Sequence, residues 1–308
     1  PVSLNRRNFL AILSAAAGAA ALATPALARL AFNSKDPTYI YTWDQIKPGF
    51  HAFVDPNAGG NSLILTAGAQ ILLIDTKFIH LAGALLQDTK TFAGNPDPEN
   101  LDLTLINTHH HGDHIEGNEA VRSRYDCTLV GPKSETARID RMDVTLAEGD
   151  VFEFAGHKAE IFETPGHTLG HIAFFFPDSD ILLSGDTLFV LGCGRVFEGT
   201  MEQMWDSLKK LRALPASTRI YCGHEYTQSN ARFALSVDGG NAKLKAQAAE
   251  IDRLRAEGKP TVPSTLGDEL ETNPFLRADD PALAAAIGME GAGPAAVFAE
   301  IRRRKDNF

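Results

Sequence analysis

Between Thr108 and His114 the chain reads Thr-His-His-His-Gly-Asp-His, an H-x-H-x-D-H spacing. It gathers the imidazoles of His109, His111 and His114 and the carboxylate of Asp113 within six positions. On a loop leaving a strand, His109 and His111 can point the same way, while Asp113 and His114 turn toward a neighbouring position. Three later segments each place one more such group just past an apolar run: Thr164-Pro165-Gly166-His167, Ser184-Gly185-Asp186-Thr187 and Tyr221-Cys222-Gly223-His224. Taken singly, His167 or His224 reads as a packed or surface histidine. Taken in order behind the cluster, they complete a set of five histidines and two aspartates. Seven ligands suit two divalent ions that share one carboxylate. Imidazole and carboxylate accept zinc, with iron or manganese as alternatives. Such a pair lowers the pKa of water and polarises a carbonyl or phosphoryl oxygen, so the chemistry indicated is hydrolysis.

These groups need strand ends to present them. Ser62–Asp75 predicts two strands around Gly68, and residues 80–89 a helix. Leu101–Asn107 is a buried-type strand that runs directly into the histidine cluster. Asn118–Arg124 predicts a short helix and Cys127–Val130 a strand. Asp150–Thr164 predicts a strand pair around Gly156, and His171–Phe176 and Asp180–Leu183 two further strands. Thr200 with Gln203 marks the start of a helix over Met201–Leu211. Arg219–Cys222 is expected to be the last strand. From Tyr226 to Gly258 the pattern is helical and polar; a proline-rich break at Lys259–Pro263 precedes helices at Pro281–Gly288 and Pro294–Arg304. Mixed strands and helices followed by helices alone is an α/β body with a helical appendage.

The 308 residues are 44% hydrophobic and 22% charged, a globular composition that excludes a disordered or fibrous chain. A net charge of −10 excludes wholesale nucleic-acid binding while leaving room for a local basic patch. Three cysteines, Cys127, Cys193 and Cys222, do not make a disulfide framework. Residues 1–28 carry Arg6-Arg7, an Ala-rich run over residues 11–23 and an ending Pro25-Ala26-Leu27-Ala28, which together read as a twin-arginine export signal. The expectation is recognition by the twin-arginine machinery, a periplasmic location and no stable membrane insertion after cleavage. Cleavage removes two cationic and no acidic groups, moving the net charge from −10 to −12.

The ligand pattern resembles the metallo-β-lactamase superfamily, and further segments resemble its glyoxalase II (hydroxyacylglutathione hydrolase) branch. Those segments are Gly185–Phe189 continuing into Gly192–Thr200, His224–Thr227, Glu271–Arg277 and Arg302–Phe308. The resemblance covers residue 60 to the end. It implies an αβ/βα sandwich: residues 1–28 as signal, 29–225 as hydrolase domain and 226–308 as a helical substrate-binding domain. It implies that His109, His111 and His167 hold one metal, that Asp113, His114 and His224 hold the other, and that Asp186 bridges. His110 and His171 would stand behind the ligands. Asp113 and Asp186 would be catalytic, orienting the attacking water and tuning its acidity. The substrate implied is an S-(2-hydroxyacyl)glutathione thioester, with its carboxylates held by Arg195, Tyr226, Arg302 and Lys305. Guanidinium and ammonium groups suit those carboxylates in an acidic chain.

Three departures stand out. Glu116 replaces a small residue beside the metal loop, Phe197 stands where some members have Tyr, and residues 29–60 extend the N-terminal side. Two rival readings remain: an exported hydrolase of this fold acting on a β-lactam or in periplasmic sulfur or quinoprotein-linked metabolism, and a metal-binding protein without catalysis.

Overall fold

The structure is a computed structural model describing residues 42–47, 50–54, 60–67, 70–78, 82–83, 85–86 and 101–308. The twin-arginine segment, residues 1–28, lies outside the described residues.

Two large sheets form the body. The first has seven strands in sequence order: β1 (Thr42–Lys47), β2 (Phe50–Val54), β3 (Ser62–Ala67), β4 (Gln70–Ile74), β5 (Asp102–Ile106), β6 (Thr128–Pro132) and β7 (Val144–Leu146). It is antiparallel from β1 to β4 and parallel from β4 to β7. The second contains β8 (Val151–Phe154), β9 (His157–Glu163), β10 (Ile172–Phe176), β11 (Ile181–Gly185), β14 (Arg219–Cys222) and β15 (Ser264–Thr265), in the order β15-β14-β11-β10-β9-β8. A small hairpin, β12 (Leu188–Phe189) with β13 (Gly192–Cys193), stands apart.

The central strands β4–β6, β10, β11 and β14 are covered on both faces, which explains their continuous apolar runs, whereas β8 and β9 alternate buried with exposed residues. Leu63, Leu65, Leu72, Ile74 and Ile106 meet Ile172, Phe174, Phe176 and Leu183 in the core between the sheets. The alternate residues Ile64, Ile71, Leu73 and Leu105 face an outer layer with Val121 and Tyr125 of α2 (Asn118–Tyr125). Ala173, Phe175 and Leu182 face the opposite outer layer, packing with Met204, Trp205 and Leu208 of α3 (Met201–Arg212). The Thr200–Gln203 capping box expected from sequence starts α3. The result is the four-layer αβ/βα sandwich expected; after Tyr226, Phe233, Phe275 and Phe298 add to the outer layer of the second sheet, while Ala231, Leu244, Ala248 and Ile251 join the cluster of the inter-sheet core.

That tail contains α4 (Thr227–Val237), α5 (Ala242–Ala256), α6 (Leu266–Thr272), α7 (Pro281–Ala286) and α8 (Pro294–Asp306). Phe298 and Ile301 of α8 share a core with Trp205, Phe233 and Phe275. The helical stretch expected from Tyr226 to Gly258 is two helices, because the Asn241 side chain caps α5 at Lys243 and Leu244. Arg219–Cys222 is not the last strand. β15 adds to it as an antiparallel edge from within the proline-rich region, and Thr265 ends that edge by capping α6 at Asp268. Of the helix expected over 80–89, the described residues Ala82, Gly83, Leu85 and Leu86 are helical.

Strand direction brings the ligand loops together. β9 and β11 run the same way on either side of antiparallel β10, and β14 is parallel to β11. Their C-terminal ends therefore share one edge with the start of β10, and the parallel pair β4–β5 supplies its C-terminal ends from the other sheet.

Candidate metal centre

After β5 the chain crosses to the site edge and makes one helical turn, α1 (Gly112–Ile115), with His111 at its N-cap. The His114 N–H donates to the His111 carbonyl, and the Asn107 side chain donates to His114 O at 3.1 Å. That turn points Asp113 and His114 away from His109 and His111, dividing the cluster into two half-sites. His109, His111 and His167 form one group whose ligand nitrogens converge, and Asp113, His114 and His224 form another. His111 Nδ1 lies 3.1 Å from His109 Nε2 and 2.9 Å from His167 Nε2. His224 Nε2 lies 3.2 Å from Asp113 Oδ2.

Asp186 stands between the halves. Its Oδ2 is 3.4 Å from His167 Nε2 and 3.3 Å from His224 Nε2, and its Oδ1 is 3.5 Å from His114 Nε2. His114 Nε2 and Asp186 Oδ1 are buried and make no hydrogen bond within the protein. Orphaned atoms of this kind are costly unless a ligand satisfies them. The space beneath Asp186 also depends on Gly223, where a Cβ would lie 2.2 Å from Asp186 Oδ1. Donor chemistry, convergence and room thus fit divalent metal ions at these His/Asp clusters.

The electrostatics separate the same halves. Burial pushes the His109, His111 and His167 rings below the usual imidazole range, leaving them neutral as ligands must be. Burial opposes charge on Asp186 too, but the His224 and His114 rings outweigh it and hold the carboxyl well below the carboxylate range. Around His224, burial is outweighed by Asp186 and Asp113, and the ring is pushed up to about 10.

Residues behind the ligands fix their orientation. His114 Nδ1 donates to Asp75 Oδ2 at 2.8 Å, so Nε2 carries the lone pair facing the site. Asp75 also accepts from Thr108 N and Thr108 Oγ1. His167 Nδ1 donates to Arg195 O at 2.8 Å, again freeing Nε2. His171 is fully buried with its pKa well below the usual value; its Nε2 accepts the Asp186 N–H at 3.0 Å, and Nδ1 meets Thr164 Oγ1 at 2.7 Å. It therefore anchors the Asp186 loop and stands behind the ligands, as the sequence implied. His110 turns away from the ligand nitrogens to the buried Glu135 carboxylate at 3.0 Å.

A cavity of about 440 Å³ opens over His111, Asp113, His167, Asp186 and His224, and Arg195, Tyr226, Arg302 and Lys305 all reach it. Tyr226 stacks on the His224 ring at 4.7 Å. Arg302 is almost fully buried and donates to Cys193 O and to Asp306, which also accepts from Arg195 Nε at 3.2 Å. Lys305 Nζ sits 3.2 Å from Ser229 Oγ, and burial together with Arg302 and Arg232 pulls its pKa down to about 8.

Two family models divide the described site between them: residues 58–224 match the metallo-beta-lactamase superfamily, and residues 225–308 match the hydroxyacylglutathione hydrolase C-terminus. The chain is 54% identical over 204 residues to a hydroxyacylglutathione hydrolase of Rhizobium meliloti, spanning 66% of this chain and 80% of that one. It is 56% identical over 201 residues to the protein of the same name from Ruegeria pomeroyi, spanning 65% and 79%. The chain belongs to the hydroxyacylglutathione hydrolase family of the metallo-beta-lactamase superfamily. Among solved structures, ETHE1 from Myxococcus xanthus shares the fold, with a TM-score of 0.58, 23% identity and coverage of 82% of this chain and 89% of that one. The BLEG-1 B3 metallo-beta-lactamase does so at 0.52 and 20%, covering 77% and 99%.

Against that family background the departures have defined places. Glu116 is exposed and folds back over Gly112, lining a small surface pocket behind the metal loop and not the main cavity. Phe197 does belong to the site: 59% exposed, its ring lies 5.3 Å from His167 and 5.8 Å from His111. Part of the 29–60 extension is the hairpin β1–β2, which lengthens the first sheet. Cys193 and Cys222 are buried with their thiols pushed up to about 11 and about 12, which suits packing and not nucleophilic attack.

Sequence reading missed Asp75 and Glu135, and also Ser229 and Asn230, which line the cavity from α4. Only Asp75 left a signal: an acid closing an otherwise apolar strand. Sequence reading also missed Asn61, whose N–H and Nδ2 donate to Gly223 O and Cys222 O, stitching β3 to the His224 loop.

Proposed function

We propose that this chain is a binuclear hydroxyacylglutathione hydrolase, cleaving the thioester of an S-(2-hydroxyacyl)glutathione to a 2-hydroxy acid and glutathione. The observation that carries this reading is one cavity lined both by five of the seven candidate ligands, with His109 and His114 grouped behind them, and by the basic residues of the helical tail. Around it, His109, His111 and His167 would hold one ion and Asp113, His114 and His224 the other, with Asp186 available to both. Zinc suits the His/Asp set, with iron or manganese as alternatives. When bound, two such ions supply a nucleophilic hydroxide near neutral pH and polarise the thioester carbonyl.

The protein does the rest. Asp113 and Asp186 line the cavity as carboxylates and accept hydrogen bonds from the attacking water, fixing its lone pair toward the carbonyl. Arg195, Lys305 and Arg302 offer cationic donors to the glutathione carboxylates, and Tyr226 adds a hydroxyl donor whose pKa burial raises to about 12. The leaving group is a thiolate, which departs near neutral pH without a dedicated acid. Residues 226–308 serve here as the substrate-binding part and 29–225 as the hydrolase part.

The reading is tested by steady-state hydrolysis of S-D-lactoylglutathione beside a chromogenic cephalosporin, with His111→Ala as control. Thioester turnover alone, lost in the control, is expected. Cephalosporin turnover instead, or neither, overturns it.

We also infer from Arg6-Arg7, the Ala-rich run and Pro25–Ala28 that the chain is exported by the twin-arginine machinery and acts in the periplasm. Among the described residues no helix is long and apolar enough to cross a membrane. Cell fractionation of wild type and Arg6→Lys/Arg7→Lys checks this: the wild type belongs in the periplasmic fraction, and equal partition of the two contradicts export by this route.

A further inference from the structure

We propose that Glu135 is a positioning residue for one half of the metal centre, locking the His109/His111/His167 half-site and not the Asp113/His114/His224 half-site. Glu135 sits in a 3-10 turn after β6, at Lys133–Glu135, and its side chain is 2% exposed. The carboxylate spans two loops. Oε2 meets His110 Nδ1 at 3.0 Å, and Oε1 accepts from Thr168 Oγ1 at 2.9 Å. His110 lies between His109 and His111, and Thr168 follows His167. Each end of one buried carboxylate is therefore a single residue from the ligands of the same half-site.

Two observations make this more than a packed acid. Arg138, the nearest cation, stays 3.8 Å from Oε2 and directs its shorter contact to Glu198. Burial of the charge is thus compensated chiefly by the two loops themselves. Gly170 supplies the space: a Cβ there would lie 2.6 Å from Glu135 Cγ and 2.8 Å from Oε1. The second half-site is braced by Asp75, which holds His114 directly and also reaches His109 through Thr108, while touching neither His110 nor Thr168. Of the two half-sites, Glu135 touches only the loops of the first, so its loss is separable from loss of the second. Partners behind the ligands set metal affinity by about 10–100-fold.

This rests on the two-metal reading above, and the experiment keeps the two failures apart. Metal per chain is counted by elemental analysis after dialysis against a weak chelator, for wild type, Glu135→Ala, Glu135→Gln and the double variants Glu135→Ala/His111→Ala and Glu135→Ala/His224→Ala. Thermal melts on the same samples report folding. Wild type is expected to keep two ions and Glu135→Ala one, with the lost ion about 10–100-fold weaker. Glu135→Gln preserves volume and the acceptor for Thr168, so it is expected to fall between them. Adding His111→Ala to Glu135→Ala should cost no further ion, whereas adding His224→Ala should leave none. Fewer than two ions in wild type overturns the two-metal reading and this proposal with it. Two ions in wild type and in both single variants, or equal weakening of both ions in well-folded Glu135→Gln, overturns this proposal alone.

Discussion

The floor of the cavity and its rim are built on opposite plans. The floor takes its groups from strand ends of both sheets, buries most of them, and holds three through a second residue: Asp75 behind His114, His171 behind Asp186, the Arg195 carbonyl behind His167. The rim takes its groups from a hairpin exit and two helices of the tail. Its Arg195 side chain is 55% exposed and its Tyr226 41%, against 7% for the Asp186 side chain. Buried, pre-oriented donors set what reaction can occur, and partly solvated charges set which molecule is held for it. The difference teaches that chemistry and recognition are separable in this fold, and variants in the two regions should fail in different ways.

The largest effect belongs to the floor. His111→Ala is predicted to lower kcat/KM by at least about a thousandfold while the melting temperature stays near wild type, because it removes one of the three nitrogens that would hold an ion at the reacting centre. A kcat within tenfold of wild type in metal-loaded protein would break the comparison. Asp75→Asn leaves every ligand in place but lets the His114 ring turn, so metal affinity should fall by about 10–100-fold with kcat restored by excess metal. A chelator titration reads this directly.

At the rim, Lys305→Ala should raise KM for the glutathione thioester by about tenfold, the scale of one charge-assisted hydrogen bond, and leave kcat within twofold. Initial-rate kinetics at two ionic strengths check it, since a carboxylate contact at the surface weakens with salt. A fall in kcat at constant KM would place Lys305 with the floor.

Glu269 tests how the tail holds the rim. Fully buried, it accepts from Leu191 N at 2.7 Å and from Asn273 Nδ2 at 2.9 Å, and Asn273 donates on to Phe189 O and Gly192 O, so the pair clamps the β12–β13 hairpin that carries Phe189 and Cys193. Burial raises its carboxyl from 4.5 to about 7. A folded-state pKa above the unfolded value contributes stability that is complete below about pH 4.5 and is lost as pH rises through about 7. The contribution at stake is about 3 kcal/mol. Glu269→Gln should therefore gain melting temperature relative to wild type between pH 5 and pH 8. An unchanged difference across that range would show that the carboxyl ionises freely in the fold. The smallest effect is expected for Phe197→Tyr, which adds a hydroxyl beside His167 and should change KM by less than about threefold.

The site was legible where its information is local. His109, His111, Asp113 and His114 announce themselves because six positions on one loop carry four ligands. His167, Asp186 and His224 follow because each closes an apolar run that has to be a strand. Asp75 and Glu135 were harder to read: their partners lie 39 and 25 residues away, and only Asp75 stands out, as an acid closing an apolar strand. The two-residue strands of the β12–β13 hairpin and β15 are too short for periodicity to register. Arg302 shows the converse: it lines the cavity, but its burial was not read from the sequence. Expected as a substrate clamp, it ties α8 to Cys193 O, a task only the tail's packing reveals.

The most direct test of the separation is a pair of thioesters that share an acyl group, S-D-lactoylglutathione and S-D-lactoyl-N-acetylcysteamine, the second lacking both carboxylates. Each is assayed with wild type, His111→Ala and Lys305→Ala. The floor-and-rim account predicts that His111→Ala abolishes turnover of both, whereas Lys305→Ala weakens only the glutathione thioester and leaves kcat/KM for the truncated one unchanged. Equal losses for both substrates in Lys305→Ala would contradict it.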